Sequence, residues 1–245
     1  MIFSGEIFSG ESSSTLSKLT TTIITLIGLG LGIPIILLAI FLVQRRRMGT
    51  ISSVLGRLRW SWLMLCSLMA VALLFLQLFL AAVLEDLLGD STLADEVATA
   101  SNDWVGWERF IPLALLMLLL VPFQAASEEY FFRGWLMQGI GTYVRSAWWG
   151  IIITAVLFSL AHFPESLSGF LTGAWFGLVA AWLTVRTGGL EAAIALHVVN
   201  NLVIFLLEAA QGDLDRGDVS NNVASAGWEI LLLEIPLYVL YALVI

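Results

Sequence analysis

Charged side chains are scarce in this chain of 245 residues, of which only 12% are charged. A soluble domain carries roughly 25% charged residues, so a chain this poor in charge cannot cover its own surface with polar groups. Hydrophobic residues make up 59% of the chain, and its mean hydropathy is +0.94. Lipid is the solvent that suits such a composition. We therefore expect one integral membrane domain surrounded by membrane lipid, with no soluble module of useful size.

Lysine and cysteine are almost absent as well. Lys18 is the only lysine, beside ten arginines, and the net charge is −8. No basic patch exists, which argues against a nucleic-acid partner. Cys66 is the only cysteine, so one chain can form neither a disulfide framework nor a thiolate metal site.

Long apolar runs fill most of the sequence and predict an all-α, polytopic transmembrane bundle with about seven spans. We place the spans near residues 20–43, 62–84, 111–140, 148–163, 168–185, 190–207 and 228–245. A spanning helix needs roughly 20 residues, so the run at 111–140 should tilt, kink or protrude into water. The chain ends inside its last apolar run, so either a further segment follows or the last helix ends there.

Basic residues predict the orientation of the bundle, because cytoplasmic loops are enriched in Lys and Arg. If seven spans alternate, one side carries eight arginines and the other only Lys18, Arg109 and Arg216. We therefore place the arginine-rich loops in the cytoplasm and expect the plasma membrane of a prokaryote. We divide the chain into four regions: a polar N-terminal tail (1–19), two N-terminal transmembrane helices with an acidic outer loop (20–110), a transmembrane core with the candidate site (111–207), and an acidic outer loop with a C-terminal transmembrane helix (208–245).

Ionisable residues, which are costly in lipid and therefore indicate function, cluster in three of the apolar runs. The segments are Ser127-Glu128-Glu129-Tyr130-Phe131-Phe132-Arg133, Phe158-Ser159-Leu160-Ala161-His162 and His197-Val198-Val199-Asn200-Asn201. A helix rises ~1.5 Å per residue. Counted from the predicted cytoplasmic end of each helix, Glu128 and His162 lie about 21 Å and His197 about 14 Å into the membrane. With helix ends uncertain by one turn, we expect the three side chains to meet at one level.

Helical spacing indicates what each polar residue faces. Glu129 and Arg133 are four apart with the acid first, so they share a face and can neutralise each other. Glu128 points about 100° away and is left free for chemistry. His197 and Asn201 are also four apart and face the same way. A further acid, Glu234 in the last span, is interpreted as structural or interfacial, with a contact to the substrate as the alternative.

Two kinds of chemistry suit one carboxylate and two imidazoles away from bulk water. A carboxylate beside a histidine can hold a water molecule and remove its proton. Alternatively, Glu128, His162 and His197 match a zinc site of the His₂Glu type with an open fourth position. In both cases the product is an activated water. A second donor pair, His197 with the Asn201 amide, can stabilise the oxyanion that forms when water attacks a carbonyl. These side chains together suit amide hydrolysis inside a membrane.

The motifs Glu128-Glu129-x-x-x-Arg133, Phe158-x-x-x-His162 and His197-x-x-x-Asn201 resemble, in order, those of the CAAX protease and bacteriocin-processing (Abi) family of intramembrane endopeptidases. The resemblance covers about residues 111–207 and implies a membrane-embedded cavity that reaches the catalytic groups. It also implies a protein or peptide substrate and these roles: water activation by Glu128 and His162, oxyanion support by His197 and Asn201, and site support by Glu129 and Arg133. The cofactor implied is zinc, or none if the glutamate acts alone.

Other intramembrane proteases have signatures that this sequence lacks. The His-Glu-x-x-His motif of zinc site-2 enzymes is absent, Ser168-Gly169 lacks the earlier glycine of a rhomboid motif, and the aspartates lie in loops. Two non-enzymatic alternatives stay open: a membrane scaffold or regulator that binds other membrane proteins, and a transporter that uses the polar cluster as an ion site. The expected reaction is hydrolysis of a peptide bond in a membrane-associated or lipidated protein or peptide precursor.

Overall fold

A computed structural model describes residues 11–88, 104–212, 214 and 228–245 of this chain. Its helices, in chain order, are α1 (Glu11–Gly30), α2 (Gly32–Leu42), α3 (Trp60–Leu88), α4 (Trp107–Glu129), a π-helix (Tyr130–Leu136), α5 (Met137–Gly141), α6 (Ala147–Ala161), α7 (Leu167–Thr187), α8 (Glu191–Gln211) and α9 (Trp228–Val244). Within these described ranges no β-strand forms, and Ser53 and Gly189 share an isolated bridge. The predicted all-α fold class is confirmed.

Seven apolar helical segments correspond to the seven predicted spans. Five are long and apolar enough to cross a membrane: Leu19–Leu42, Trp60–Leu80, Trp107–Gly141, Leu167–Thr187 and Glu191–Gln211. Two are shorter: Ala147–Ala161 and Glu234–Val244. Large apolar side chains such as Leu119 and Phe79 are exposed, as expected of surfaces that face lipid. The chain is thus built as an integral membrane protein.

The predicted region boundaries stay predictions, because much of the tail and of both acidic loops lies outside the described residues. Residues 1–10, 89–103, 213 and 215–227 are the parts concerned. Within the described part, α1 begins at Glu11, well before residue 20, where we expected the first span to begin. Polar residues at the start of α1 therefore continue the helix of the first span.

The long run expected at 111–140 forms one helical segment of 35 residues, Trp107–Gly141. Its regularity changes at the π-helix, which begins at Tyr130, directly after Glu128 and Glu129. Short π-helices inside α-helices are rare and occur frequently at functional sites. The departure from ideal geometry therefore lies next to the ionisable motif.

A stripe of glycines brings α7 against α6. Gly169, Gly173 and Gly177 follow at intervals of four, the small-residue spacing that lets membrane helices approach closely. A Cβ atom added at Gly177 would lie 2.9 Å from the Ala155 Cα, and one at Gly173 would lie 2.9 Å from the Ser159 Oγ. This close contact positions the end of α6, where His162 stands, against α7.

The loop between α2 and α3 is clamped to the start of α8. Arg59 donates from Nε and Nη2 to the two oxygens of Glu191 at 3.0 and 2.7 Å, and the Glu191 side chain is fully buried. These hydrogen bonds raise the pKa of Arg59. Ser52 accepts from the Leu190 N–H through its carbonyl, and its Oγ lies 2.8 Å from the Tyr130 hydroxyl. The loop therefore supports both α8 and the π-helix.

Candidate active site

Three helices bring one carboxylate and two imidazoles together. Glu128 is the second-last residue of α4, His162 caps the end of α6, and His197 lies in the second turn of α8. The Glu128 Oε2 atom lies 3.8 Å from the His162 Nε2 and 3.7 Å from the His197 Nε2. We expected these three side chains to meet, while their catalytic roles stay predictions.

The ring hydrogen bonds indicate which nitrogen of each neutral histidine carries the proton. His162 Nδ1 lies 2.8 Å from the Phe158 carbonyl oxygen, which can only accept, so Nδ1 is assigned the proton. His197 Nδ1 lies 2.7 Å from the Glu129 Oε1, and the same assignment follows if that carboxylate is ionised. Both neutral rings therefore direct an unprotonated Nε2 towards the Glu128 carboxylate.

Glu129 and Arg133 form the ion pair that their spacing predicts. The Arg133 Nη1 lies 2.8 Å from the Glu129 Oε1, and both side chains are fully buried. Arg133 also donates from Nη2 to the Gly177 carbonyl at 3.2 Å. Because the same Glu129 oxygen accepts from His197, the pair links α4 and the π-helix to both α7 and α8.

Aromatic rings surround the buried ion pair. The Phe158 ring centroid lies 4.4 Å from the Arg133 guanidinium carbon and 4.5 Å from the His162 ring centroid. The Phe176 ring lies 4.9 Å from the His197 ring. The face of a ring attracts a cation, so Phe158 stabilises Arg133 where water is excluded. This contact explains why a phenylalanine suits the first position of the Phe158-x-x-x-His162 motif.

Gln124, which was not predicted from the sequence, joins two predicted site residues. Its Nε2 donates to the Glu128 Oε1 at 2.5 Å, and its Oε1 accepts from the Asn201 Nδ2 at 3.1 Å. Gln124 lies one helical turn before Glu128, so a polar residue four positions earlier in an apolar run was the signal for it. Asn201 thus faces Glu128, and one of its two amide hydrogens remains for another acceptor.

An open cavity adjoins these groups, with about 330 Å³ of empty space including its mouth. Polar residues that line it are His162, Thr172, His197, Asn200, Asn201, Glu234 and Tyr238. Asn200 accepts a hydrogen bond from the Tyr238 hydroxyl at 3.1 Å. The two neighbouring asparagines therefore both face the cavity, one towards α4 and the other towards α9.

A zinc ion at this site would need donor atoms at suitable distances from one another. Zinc bonds of about 2.0–2.2 Å in a tetrahedron place the donors about 3.4 Å apart, whereas the Glu128 oxygen lies 3.7 and 3.8 Å from the imidazole nitrogens. In the described part of the chain, no group of three or more His, Cys, Asp or Glu side chains is arranged to hold a metal ion. The donor types fit a His₂Glu site and their spacing is slightly too wide, so zinc stays a prediction.

Residues 108–203 match the family model described as type II CAAX prenyl endopeptidase Rce1-like, which confirms the resemblance predicted from the motifs. All six predicted site residues lie within this match. A Bacillus subtilis (strain 168) protein with the name uncharacterized protein YyaK is 32% identical over 133 residues, with 49% of this chain and 44% of the relative covered. The chain thus spans less than half the length of that relative. No solved structure matches. An intramembrane protease is the function class that these similarities support.

Proposed function

We propose that this chain, whose residues 108–203 match the Rce1-like family, is an intramembrane endopeptidase. It hydrolyses a peptide bond in a membrane-associated or lipidated protein or peptide precursor. The observation that carries the proposal is the placement of the Glu128 Oε2 within 3.7 and 3.8 Å of two imidazole nitrogens among apolar helices. Ionisable groups are costly in such surroundings, and three that converge on one point favour a chemical role over helix association.

Glu128 is the general base of the proposed reaction. Gln124 holds its Oε1, which leaves Oε2 for a water molecule. The separations of 3.7 and 3.8 Å are shorter than twice a hydrogen bond of about 2.8 Å, so one water can contact Oε2 and an Nε2 atom together. The water donates one hydrogen to Glu128 and the other to a histidine, and its lone pair attacks the carbonyl carbon. Glu128 takes the proton as the C–O bond forms.

The oxyanion of the tetrahedral intermediate needs donors, and Asn201 offers its second amide hydrogen. His197 donates from Nε2 only while it carries a second proton, and its Nδ1 then keeps its hydrogen bond of 2.7 Å to the Glu129 carboxylate. Glu128 then passes its proton to the leaving amide nitrogen as the C–N bond breaks. Proton and electron pair are thereby balanced, and Glu128 returns to its ionised state.

Zinc is the alternative route to the same activated water. Bound by Glu128, His162 and His197, it would supply a Lewis acid. The hydrogen bonds from both Nδ1 atoms, to Phe158 and Glu129, are the kind that orient imidazole ligands. Metal content of the purified chain, compared with that of a Glu128→Gln variant, distinguishes the two routes.

The surroundings proposed for this reaction are the plasma membrane of a prokaryote, with the arginine-rich loops in the cytoplasm. There the substrate would be a leader peptide, a bacteriocin-type precursor or another membrane protein. A prenylated CAAX protein is the corresponding substrate class in eukaryotes. Proteomics of membranes identifies the substrate directly, as an uncut precursor that accumulates when the site is disabled.

The test compares membranes that contain the wild-type chain with membranes that contain Glu128→Gln. Gln keeps the size of the side chain and cannot act as a base, so we expect a precursor to accumulate and its product to disappear. Glu108→Gln is the matched control, because Glu108 is exposed at the start of α4 and should leave processing unchanged. An unaltered proteome with normal expression of Glu128→Gln would instead favour the scaffold or the transporter.

A further inference from the structure

Glu234 is a second carboxylate in the cavity, and the proposed reaction does not use it. It lies on α9 and lines the same cavity as His162 and His197. Its Oε2 atom is buried and has no hydrogen-bond partner. Tyr238, four residues later on the same helix face, bonds Asn200 through its hydroxyl and also interacts with the Glu234 carboxylate. The Glu234 Oε2 atom nevertheless stays without a hydrogen-bond partner.

Among the described residues, neither Lys nor Arg lines this cavity. The nearby Arg133 is engaged by Glu129 and the Gly177 carbonyl. The Glu128 Oε2 is a further buried oxygen without a hydrogen-bond partner. Glu234 and Glu128 thus each have an unpaired carboxylate oxygen, and a buried carboxylate without a cation is costly. A ligand that brings a positive charge removes this cost.

The apolar walls of the cavity also suit a cation. Phe158, Phe176 and Tyr238 line it, and aromatic faces attract ammonium and guanidinium groups. A carboxylate with aromatic walls accommodates the apolar stem of Lys or Arg as well as its charged end. A neutral polar side chain would satisfy the Glu234 oxygen but not its charge.

We propose that Glu234 forms a subsite for a basic side chain, Lys or Arg, close to the scissile bond of the substrate. This specificity rests on the proposed function, because it takes the cavity beside Glu128 as the place where the peptide binds. Glu234 contacts the substrate and selects it, while Glu128 performs the chemistry.

Binding measurements test the subsite apart from catalysis. The full chain with Glu128→Gln, reconstituted in lipid nanodiscs, is titrated against fluorescent acylated peptides in which Lys, norleucine or Glu occupies each position in turn. We expect Lys at one position to bind at least about tenfold more tightly than norleucine, as a charged hydrogen bond provides. Adding Glu234→Gln should abolish that preference. Adding Glu234→Lys should reverse it in favour of the Glu peptide, while adding Glu108→Gln should preserve it.

Three results would overturn the subsite: no binding of any Lys peptide, equal binding of Lys and norleucine peptides, or a Lys preference that survives Glu234→Gln. Thermal unfolding of each variant checks that the fold is intact, and the reversal by Glu234→Lys requires a folded cavity. Turnover of the same peptides by the wild-type chain separates the two proposals. Binding that depends on Glu234 without cleavage refutes the peptidase, whereas cleavage with no preference for Lys refutes the subsite alone.

Discussion

Glu129→Gln is expected to destabilise the protein by about 3–5 kcal/mol, the usual cost of breaking a buried ion pair from one side. Arg133 and Glu129 are both fully buried, with 2.8 Å between the paired atoms. After the substitution, Arg133 keeps the Gly177 carbonyl at 3.2 Å and the Phe158 ring at 4.4 Å. Neither partner carries a negative charge, so the guanidinium is left uncompensated where water does not reach it.

The structure also predicts how this loss can be reversed. Arg133→Met replaces the cation by an apolar chain of similar length, so adding it to Glu129→Gln should restore at least half of the lost free energy of unfolding. Unfolding in mixed micelles, titrated with SDS and followed by tryptophan fluorescence, measures each variant. Arg133→Met alone completes the double-mutant cycle. If the double variant is no more stable than Glu129→Gln, the charge of Arg133 is not the cause and the reasoning is refuted.

Other substitutions test the remaining contacts. Gln124→Leu should lower kcat about 10- to 100-fold with little change in KM, because it releases the carboxylate that acts as base; an equal rise in KM would contradict this. Gly177→Ala should destabilise by about 1–3 kcal/mol, since its Cβ would lie 2.9 Å from the Ala155 Cα, and SDS titration measures the loss. Arg59→Gln should cost about 3 kcal/mol by leaving the buried Glu191 carboxylate unpaired, and unaltered stability would show that the clamp is dispensable.

Much of the candidate site could be predicted because ionisable residues contrast with an apolar background. Glu128, His162 and His197 each interrupt a span, and lipid makes such interruptions costly. The Glu129–Arg133 pair follows from a spacing of four on one helix. Gln124 was missed although it has the same spacing from Glu128, because an uncharged amide in a membrane helix is as readily explained by helix association.

Contacts between helices far apart in the sequence could not be predicted. His197 bonds Glu129 across 68 positions, and no periodicity of either helix indicates that contact. Glu234 lies near the end of the chain, and only the packing of α9 places it in the same cavity as His162.

A bundle of apolar helices with a few buried ionisable residues could be predicted without a structure, because hydropathy and helical spacing are local properties of the chain. Which of these residues meet depends on the packing of the whole bundle, since the approach of α7 to α6 and the position of α9 depend on side chains from several helices at once. Hydrogen bonds act over about 3 Å, and helix ends read from a sequence are uncertain by more than that. The direction of each Nε2 atom and the unpaired Oε2 of Glu234 can therefore be seen only in the folded bundle.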